Sequence, residues 1–108
     1  MTKLSGCLAI YTDNDFQRVA KDVERMAREG EAELSAFRAF FDGVADATPD
    51  KQGRVSIPPY LRAYAGLEQQ VVLLGASTRF ELWDAERHRQ MCDEGEDRLR
   101  AVGAGFGL

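Results

Sequence analysis

The sequence predicts an α+β fold, because segments with strand and turn chemistry flank a stretch with helical periodicity. Strand-like apolar runs occur at residues 7–11, 71–75 and 80–83. Between the first run and the second, apolar residues recur at helical spacing from Phe16 to Val44. A chain of 108 residues, 44% of them hydrophobic, suffices for one small domain with a modest core.

A weak internal repeat relates the first strand to the last one. At a shift of 72 residues, three residues align with three others: Leu8, Ile10 and Tyr11 with Phe80, Leu82 and Trp83. Thr12 then falls on Asp84, and each is suited to cap the N-terminus of the helix that follows. Strand, aromatic residue, cap and helix are therefore expected twice.

Two connected helices are predicted between the repeats, with Gly30 separating their apolar stripes. The stripes consist of Phe16, Val19, Ala20, Val23, Met26 and Ala27, and of Leu34, Phe37, Phe40, Phe41 and Val44. Most of these residues are expected to be core. The remainder could form a subunit interface, because three phenylalanines within five residues exceed what one short helix needs for its own packing.

A tight turn is predicted after the helices, between a strand at 44–48 and a second one that Arg54 opens. Asp50 can accept backbone N–H groups across this turn, and Gly53 supplies a position with positive φ that other residues adopt only at a cost. The guanidinium of Arg54 is then expected beside the turn.

Proline and glycine predict the next boundaries. Pro58 and Pro59 end the strand because neither can donate to a ladder, and Pro59 suits the first turn of a helix that runs to Ala65. Gly66 is expected to close that helix. After residue 84 the chain is predicted to form a charged helix, and then a flexible glycine-rich tail at 103–107.

These segments together resemble the MraZ family, bacterial transcriptional regulators of the division and cell-wall gene cluster with a SpoVT/AbrB-type DNA-binding fold. The resemblance is carried by Asp50-Lys51-Gln52-Gly53-Arg54-Val55-Ser56-Ile57-Pro58, Leu61-Arg62, Ala65-Gly66-Leu67, Val71-Val72-Leu73-Leu74-Gly75 and Phe80-Glu81-Leu82-Trp83-Asp84. It covers essentially the whole chain. It implies small SpoVT/AbrB-like β-barrel repeats with connecting helices: 1–15 a remnant of the first repeat, 16–43 the connecting helices, 44–87 the complete second repeat, and 88–108 a C-terminal helix and flexible tail.

The chain departs from the family pattern at its front. Moved back by 72 residues, the Asp50 turn has its counterpart before residue 1. A partial chain, a misplaced start codon and a genuinely shortened gene are the alternatives.

The resemblance implies a DNA-binding transcriptional regulator that assembles into a ring-like homo-oligomer and reads direct repeats in a promoter. It implies double-stranded DNA and further copies of the chain as partners, no cofactor, no small-molecule ligand, and a cytoplasmic, nucleoid-associated location. The alternative is a truncated oligomerisation or interaction module that binds DNA weakly or not at all.

Arg54 is the main candidate for a DNA contact. On spacing alone, pairing with Asp50 across the turn is equally well supported, but in the family the arginine after the glycine turn lies on the DNA-facing surface. A guanidinium can contact phosphate or guanine, whereas Lys51 would contact the DNA backbone. Arg62 and Arg79 are weaker candidates, expected to be solvated. The net charge is −4, yet residues 50–80 carry four Lys/Arg against two Asp/Glu.

Other classes of protein find little support. No apolar run is long enough for a membrane span and no leader is evident. Cys7 and Cys92 are expected to be unremarkable reduced thiols. His88 and Cys92 have the spacing of two metal ligands, but a structural zinc site needs four, so no metal is expected. Glu81, Asp84 and Glu86 are interpreted as a cap and a solvated strand edge, so no enzyme is indicated.

Overall fold

The computed structural model describes residues 1–31 and 33–106 and confirms the α+β class. The described residues form eight elements: β1 (Thr2–Leu4), β2 (Cys7–Ile10), α1 (Asp13–Arg28), α2 (Leu34–Asp42), α3 (Pro59–Ala65), β3 (Val71–Ala76), β4 (Arg79–Asp84) and α4 (Ala85–Phe106). In this part of the chain, no helix is both long and apolar enough to cross a membrane.

The strands form one antiparallel sheet in the order β1-β2-β4-β3. It consists of two hairpins joined through β2 and β4, where Ala9 pairs with Glu81. These two residues are separated by the shift of 72 that relates the repeats in sequence. The hairpins are thus related by a local two-fold axis through this pair. The β-barrel that the resemblance implies stays a prediction.

Both predicted N-caps are confirmed. The hydroxyl of Thr12 accepts a hydrogen bond from the backbone N–H of Asp15 at 3.2 Å, at the start of α1. The carboxylate of Asp84 accepts one from the backbone N–H of Arg87 at 3.3 Å, at the start of α4. Each cap satisfies an N–H group that has no partner within its helix.

The predicted boundaries of α3 are confirmed. Pro59 is the first helical residue, where its missing N–H is not needed, and Gly66 ends the helix with a left-handed φ of 65°. Gly66 also allows a close approach, because a Cβ there would lie 2.8 Å from the guanidinium of Arg87. The helix lies against the sheet and buries Leu61 and Ala65.

The core lies under α3, and the expectation that the stripes of α1 and α2 are mostly core is wrong. The buried cluster consists of Leu8, Leu61, Ala65, Leu67 and Leu82, and neither α1 nor α2 has a buried residue. The reason is topological: α3 covers the centre of the sheet, whereas α2 packs beside β1 at its edge and α1 packs on α2.

Half-buried aromatic rings hold α1 and α2 together instead. Phe16 of α1 stacks on Phe40 with ring centroids 6.1 Å apart, and Phe37 lies 4.8 Å from Phe41. The hydroxyl of Thr2 donates to the carbonyl of Phe40 at 2.6 Å and attaches α2 to β1. These rings remain partly open to solvent.

The strands predicted at 44–48 and after Arg54 are also wrong, since residues 44–50 and 54–58 form no regular element. Ala45 exchanges two backbone hydrogen bonds with Met1, at 2.7 and 2.9 Å, and the pairing stops there. A strand persists only where a neighbouring strand satisfies its backbone groups. An apolar, β-branched sequence is therefore extended here without joining a sheet.

The predicted flexible tail is helical at least to its fourth residue. Helix α4 continues through residues 103–106, and residue 107 lies outside the described residues. Glycine is a poor helix former, but it lacks the ring and the missing N–H by which proline ends a helix. The composition alone therefore gave the wrong conformation.

Candidate nucleic-acid interface

The turn at residues 50–54 is organised by the carboxylate of Asp50. Its Oδ1 accepts the backbone N–H groups of Gln52 and Arg54, each at 2.9 Å. The backbone closes the same loop, because the N–H of Asp50 donates to the carbonyl of Arg54 at 2.8 Å and the N–H of Gly53 to the carbonyl of Asp50 at 3.0 Å. One side chain thus fixes four consecutive peptide units.

Gly53 has a φ of 79°, in the left-handed region that favours glycine. No atom among the described residues lies within 4 Å of a Cβ built at this position. The requirement for glycine is therefore conformational and not steric. This leaves the outer side of the turn open to a partner.

Arg54 is bonded to Asp50 through only one of its three nitrogens. Its Nε donates to Oδ2 of Asp50 at 3.1 Å, and its side chain is 75% exposed. Within residues 1–31 and 33–106, neither terminal nitrogen donates to an acceptor. The pairing that competes with a DNA contact at the level of sequence is thus compatible with one, since it orients the guanidinium and leaves its outer edge accessible.

The hydrogen bonds of the turn also stabilise the charge of Asp50. The backbone N–H groups of Arg54 and Gln52, followed by the Nε bond of Arg54, lower the pKa of the Asp50 carboxyl below its ordinary value. Asp50 is therefore ionised at neutral pH, which keeps Arg54 oriented. Lys51 lies in the same turn and is exposed.

The two weaker arginine candidates differ from each other. Arg62 is exposed on α3, as expected. Arg79 is not simply solvated: its Nε and a terminal nitrogen donate to Oε2 of Glu81 at 2.9 and 2.6 Å. Arg79 is thus committed within its own strand, and the sequence interpretation of this residue is wrong.

Glu81 is also not a solvated edge residue, because β4 lies inside the sheet between β2 and β3. It is only 9% exposed, and its Oε1 accepts from the indole N–H of Trp83 at 3.0 Å. The signal for this cluster is the period-2 spacing of Arg79, Glu81 and Trp83, which puts all three on one face of a strand. Asp84 is a cap as interpreted.

Both cysteines are free thiols, Cys7 buried and Cys92 half-buried, which confirms their expected state. Burial, followed by the charge of Glu81, raises the pKa of the Cys7 thiol to about 11, and Arg79 opposes this shift. Burial also raises the pKa of Tyr11. Neither group supplies a reactive anion at neutral pH.

Comparison with known proteins places this turn in a family. A match to the family described as "MraZ protein, putative antitoxin-like" covers residues 40–103, which include the whole 50–54 turn, α3, β3 and β4. The chain belongs to the MraZ family. The MraZ resemblance of the sequence is thereby confirmed.

Several curated MraZ relatives show the same likeness. The chain is 38% identical over 90 residues to the transcriptional regulator MraZ of Paenarthrobacter aurescens, covering 83% of this chain and 63% of that protein. It is 40% identical over 90 residues to the regulator of Kineococcus radiotolerans, with the same coverage. With the regulator of Salinispora arenicola it shares 37% over 99 residues, 92% of this chain and 70% of that protein.

The chain thus spans about 63% of the length of the first MraZ relatives that it matches. No solved structure matches it significantly.

Proposed function

We propose that this MraZ chain is a transcriptional regulator that binds double-stranded DNA as a ring-like homo-oligomer. Its site is a set of direct repeats in a promoter of the division and cell-wall gene cluster. Arg54 contacts a guanine or a phosphate with its terminal nitrogens, and Lys51 contacts the DNA backbone. Asp50 and Gly53 form the turn that presents them. The names of the MraZ relatives support a role in transcription.

The observation that carries the proposal is the one-sided pairing of Arg54. A guanidinium held by its Nε and open at both terminal nitrogens can still form the bidentate hydrogen bonds that read guanine or bind phosphate. Because Asp50 fixes the side chain before DNA arrives, less conformational entropy is lost on binding.

Charge supports the same assignment and explains the need for several copies. Residues 50–80 are the only positive segment of an otherwise acidic chain, with four Lys/Arg against two Asp/Glu. One of those cations, Arg79, is neutralised by Glu81. The excess on a single copy is small, so repetition of the turn around an oligomer is what would give useful affinity for DNA.

The test is a gel-shift series on promoter DNA and on scrambled DNA of equal length. Arg54→Ala and Arg54→Lys should each weaken promoter binding about 5- to 150-fold, as for the loss of one guanidinium contact of about 1–3 kcal/mol. Their melting temperatures should stay close to that of the parent, because the side chain is exposed. Lys51→Ala should weaken both DNAs alike and reduce the salt dependence.

Arg98→Ala removes an exposed arginine from α4 and is the matched control for net charge. It should change binding much less than Arg54→Ala. If Arg54→Ala shifts promoter DNA at the parent concentration and salt, the assignment of Arg54 is refuted.

A second candidate function, an oligomerisation or interaction module, is favoured by the exposure of α1 and α2. Their apolar stripes include half-buried phenylalanines and bury nothing completely within one chain, which is typical of a surface that packs on a partner. Comparing the chain with a two-repeat version in the same gel shift, and measuring the mass of both by light scattering, separates the two functions. An oligomer that shifts no DNA would favour the module, whereas a monomer near 12.0 kDa would refute the assembly in both.

A further inference from the structure

His88 and Cys92 bring two metal-binding atoms together on α4. They lie one helical turn apart and are both half-buried, and the Sγ of Cys92 is 3.5 Å from the Nε2 of His88. Two ligands of a tetrahedral zinc ion, with Zn–S and Zn–N bonds of ordinary length, lie about 3.5 Å apart. The two donor atoms therefore already have the separation that a shared zinc ion requires.

One chain supplies only half of such a site. No third histidine, cysteine, aspartate or glutamate joins this pair among the described residues. A structural zinc site normally takes four protein ligands, and a second His–Cys pair would complete a Cys₂His₂ set. The partner that fits this requirement is a second copy of the chain.

The surface of α4 offers a way for two copies to meet. From His88 onward, one face of the helix carries residues at spacings of four and three: His88, Cys92, Gly95, Leu99 and Val102. This is the spacing of a coiled-coil seam. Leu99 is 59% exposed and Val102 is 53% exposed, although both are apolar. A Cβ built at Gly95 meets nothing within 4 Å among the described residues, so a second helix could approach closely there.

We propose that two copies pair through parallel α4 helices and bind one Zn²⁺ with His88 and Cys92 from each. Only the parallel arrangement brings the two His–Cys pairs to the same level, because an antiparallel one sets His88 opposite the far end of the seam. Asp84 and Arg89 then take flanking positions that face each other with opposite charge. The seam is shorter than three heptads, so the metal supplies stability that the apolar contacts lack.

Thiolate and neutral imidazole are ligands that suit zinc. Binding at neutral pH therefore releases one proton from each of the two thiols into solvent and leaves the imidazoles uncharged. Affinity should fall as the pH is lowered and the ligands are protonated.

The test uses the full chain, reduced and freed of metal, titrated with Co²⁺ as a spectroscopic substitute for Zn²⁺. We expect saturation at half an equivalent per chain, with the intense visible absorption of tetrahedral cobalt and a thiolate charge-transfer band. Excess Zn²⁺ should remove both signals. Cys92→Ser and His88→Gln should each abolish them, with an unchanged helical circular dichroism spectrum.

Cys7→Ala and Glu96→Gln are the matched controls. Cys7→Ala removes the other thiol, and Glu96→Gln neutralises a carboxylate one turn beyond Cys92. Both should keep the cobalt spectrum. Saturation at one equivalent with weak octahedral bands, or a signal that survives Cys92→Ser, would overturn the proposal. These readouts need no DNA, so they are independent of whether the proposed regulatory function holds.

Discussion

Removal of the Glu81 carboxylate should destabilise the fold more than any other single change on the surface of the sheet. Glu81 accepts hydrogen bonds from two nitrogens of Arg79 and from the indole of Trp83, at 2.6–3.0 Å, and is 9% exposed. Glu81→Ala would leave a buried indole N–H without an acceptor and a half-buried guanidinium without its anion. Both are groups that must then be solvated inside the fold.

The magnitude follows from the burial of the two partners. An unsatisfied buried N–H costs about 1–3 kcal/mol. Breaking a fully buried ion pair costs about 3–5 kcal/mol, but the side chain of Arg79 is 32% exposed and can turn toward water, so its share is smaller. Together these give a loss of about 2–4 kcal/mol. Glu81→Gln keeps an acceptor for Trp83 and loses only the charge, so it should cost about 1 kcal/mol.

The assay is urea denaturation at one protein concentration, followed by the fluorescence of Trp83, which is the only tryptophan of the chain. The matched control is Glu86→Ala, which breaks an exposed ion pair with Arg89 on α4 and should cost at most about 0.5 kcal/mol. Equal effects of Glu81→Ala and Glu86→Ala, with an unchanged Trp83 emission maximum, would refute this account of the cluster.

Two further predictions concern the turn and the buried thiol. Gly53→Ala should cost about 1 kcal/mol in the stability of the turn and weaken DNA binding with it, Gly53→Asn should cost less because asparagine tolerates a left-handed φ, and Gly53→Val should cost the most. Chemical-shift changes at Gln52 and Arg54 would report the turn locally, and identical spectra and affinities for all three variants would contradict the prediction. The raised pKa of Cys7 means that its contribution to stability is complete below the unfolded value of 9.0 and is lost as the pH rises through about 11. Unfolding measured from pH 8 to 11 should therefore show a steeper decline for the parent than for Cys7→Ala, and parallel curves would count against a buried thiol.

Features whose chemistry is local were predictable from sequence. Thr12 and Asp84 cap the helices that follow them, and Pro59 and Gly66 begin and end α3, because each acts through its own backbone or through the next turn. The geometry of the 50–54 turn likewise depends on Asp50 and Gly53 and on no distant residue. Such features need no knowledge of the tertiary structure.

The interpretations that failed all depended on which element covers which. The apolar stripes of α1 and α2 indicate helices, but α3 covers the centre of the sheet and buries Leu61 and Ala65 instead. Residues 44–48 have the composition of a strand, but only Ala45 finds a backbone partner, in Met1. Glu81 looks like a surface carboxylate until β4 is placed between β2 and β3.

The sequence by itself therefore determined the family, the turn and the helix boundaries, because those are written in residues a few positions apart. Only the tertiary structure decided that Arg54 keeps its terminal nitrogens open while Asp50 holds its Nε, and that Arg79 is held by Glu81. Two arginines of the same positive segment thus differ in availability. The physical reason is that the free energy of a charged side chain depends on the partners and the solvent around it, and the packing of the sheet sets both.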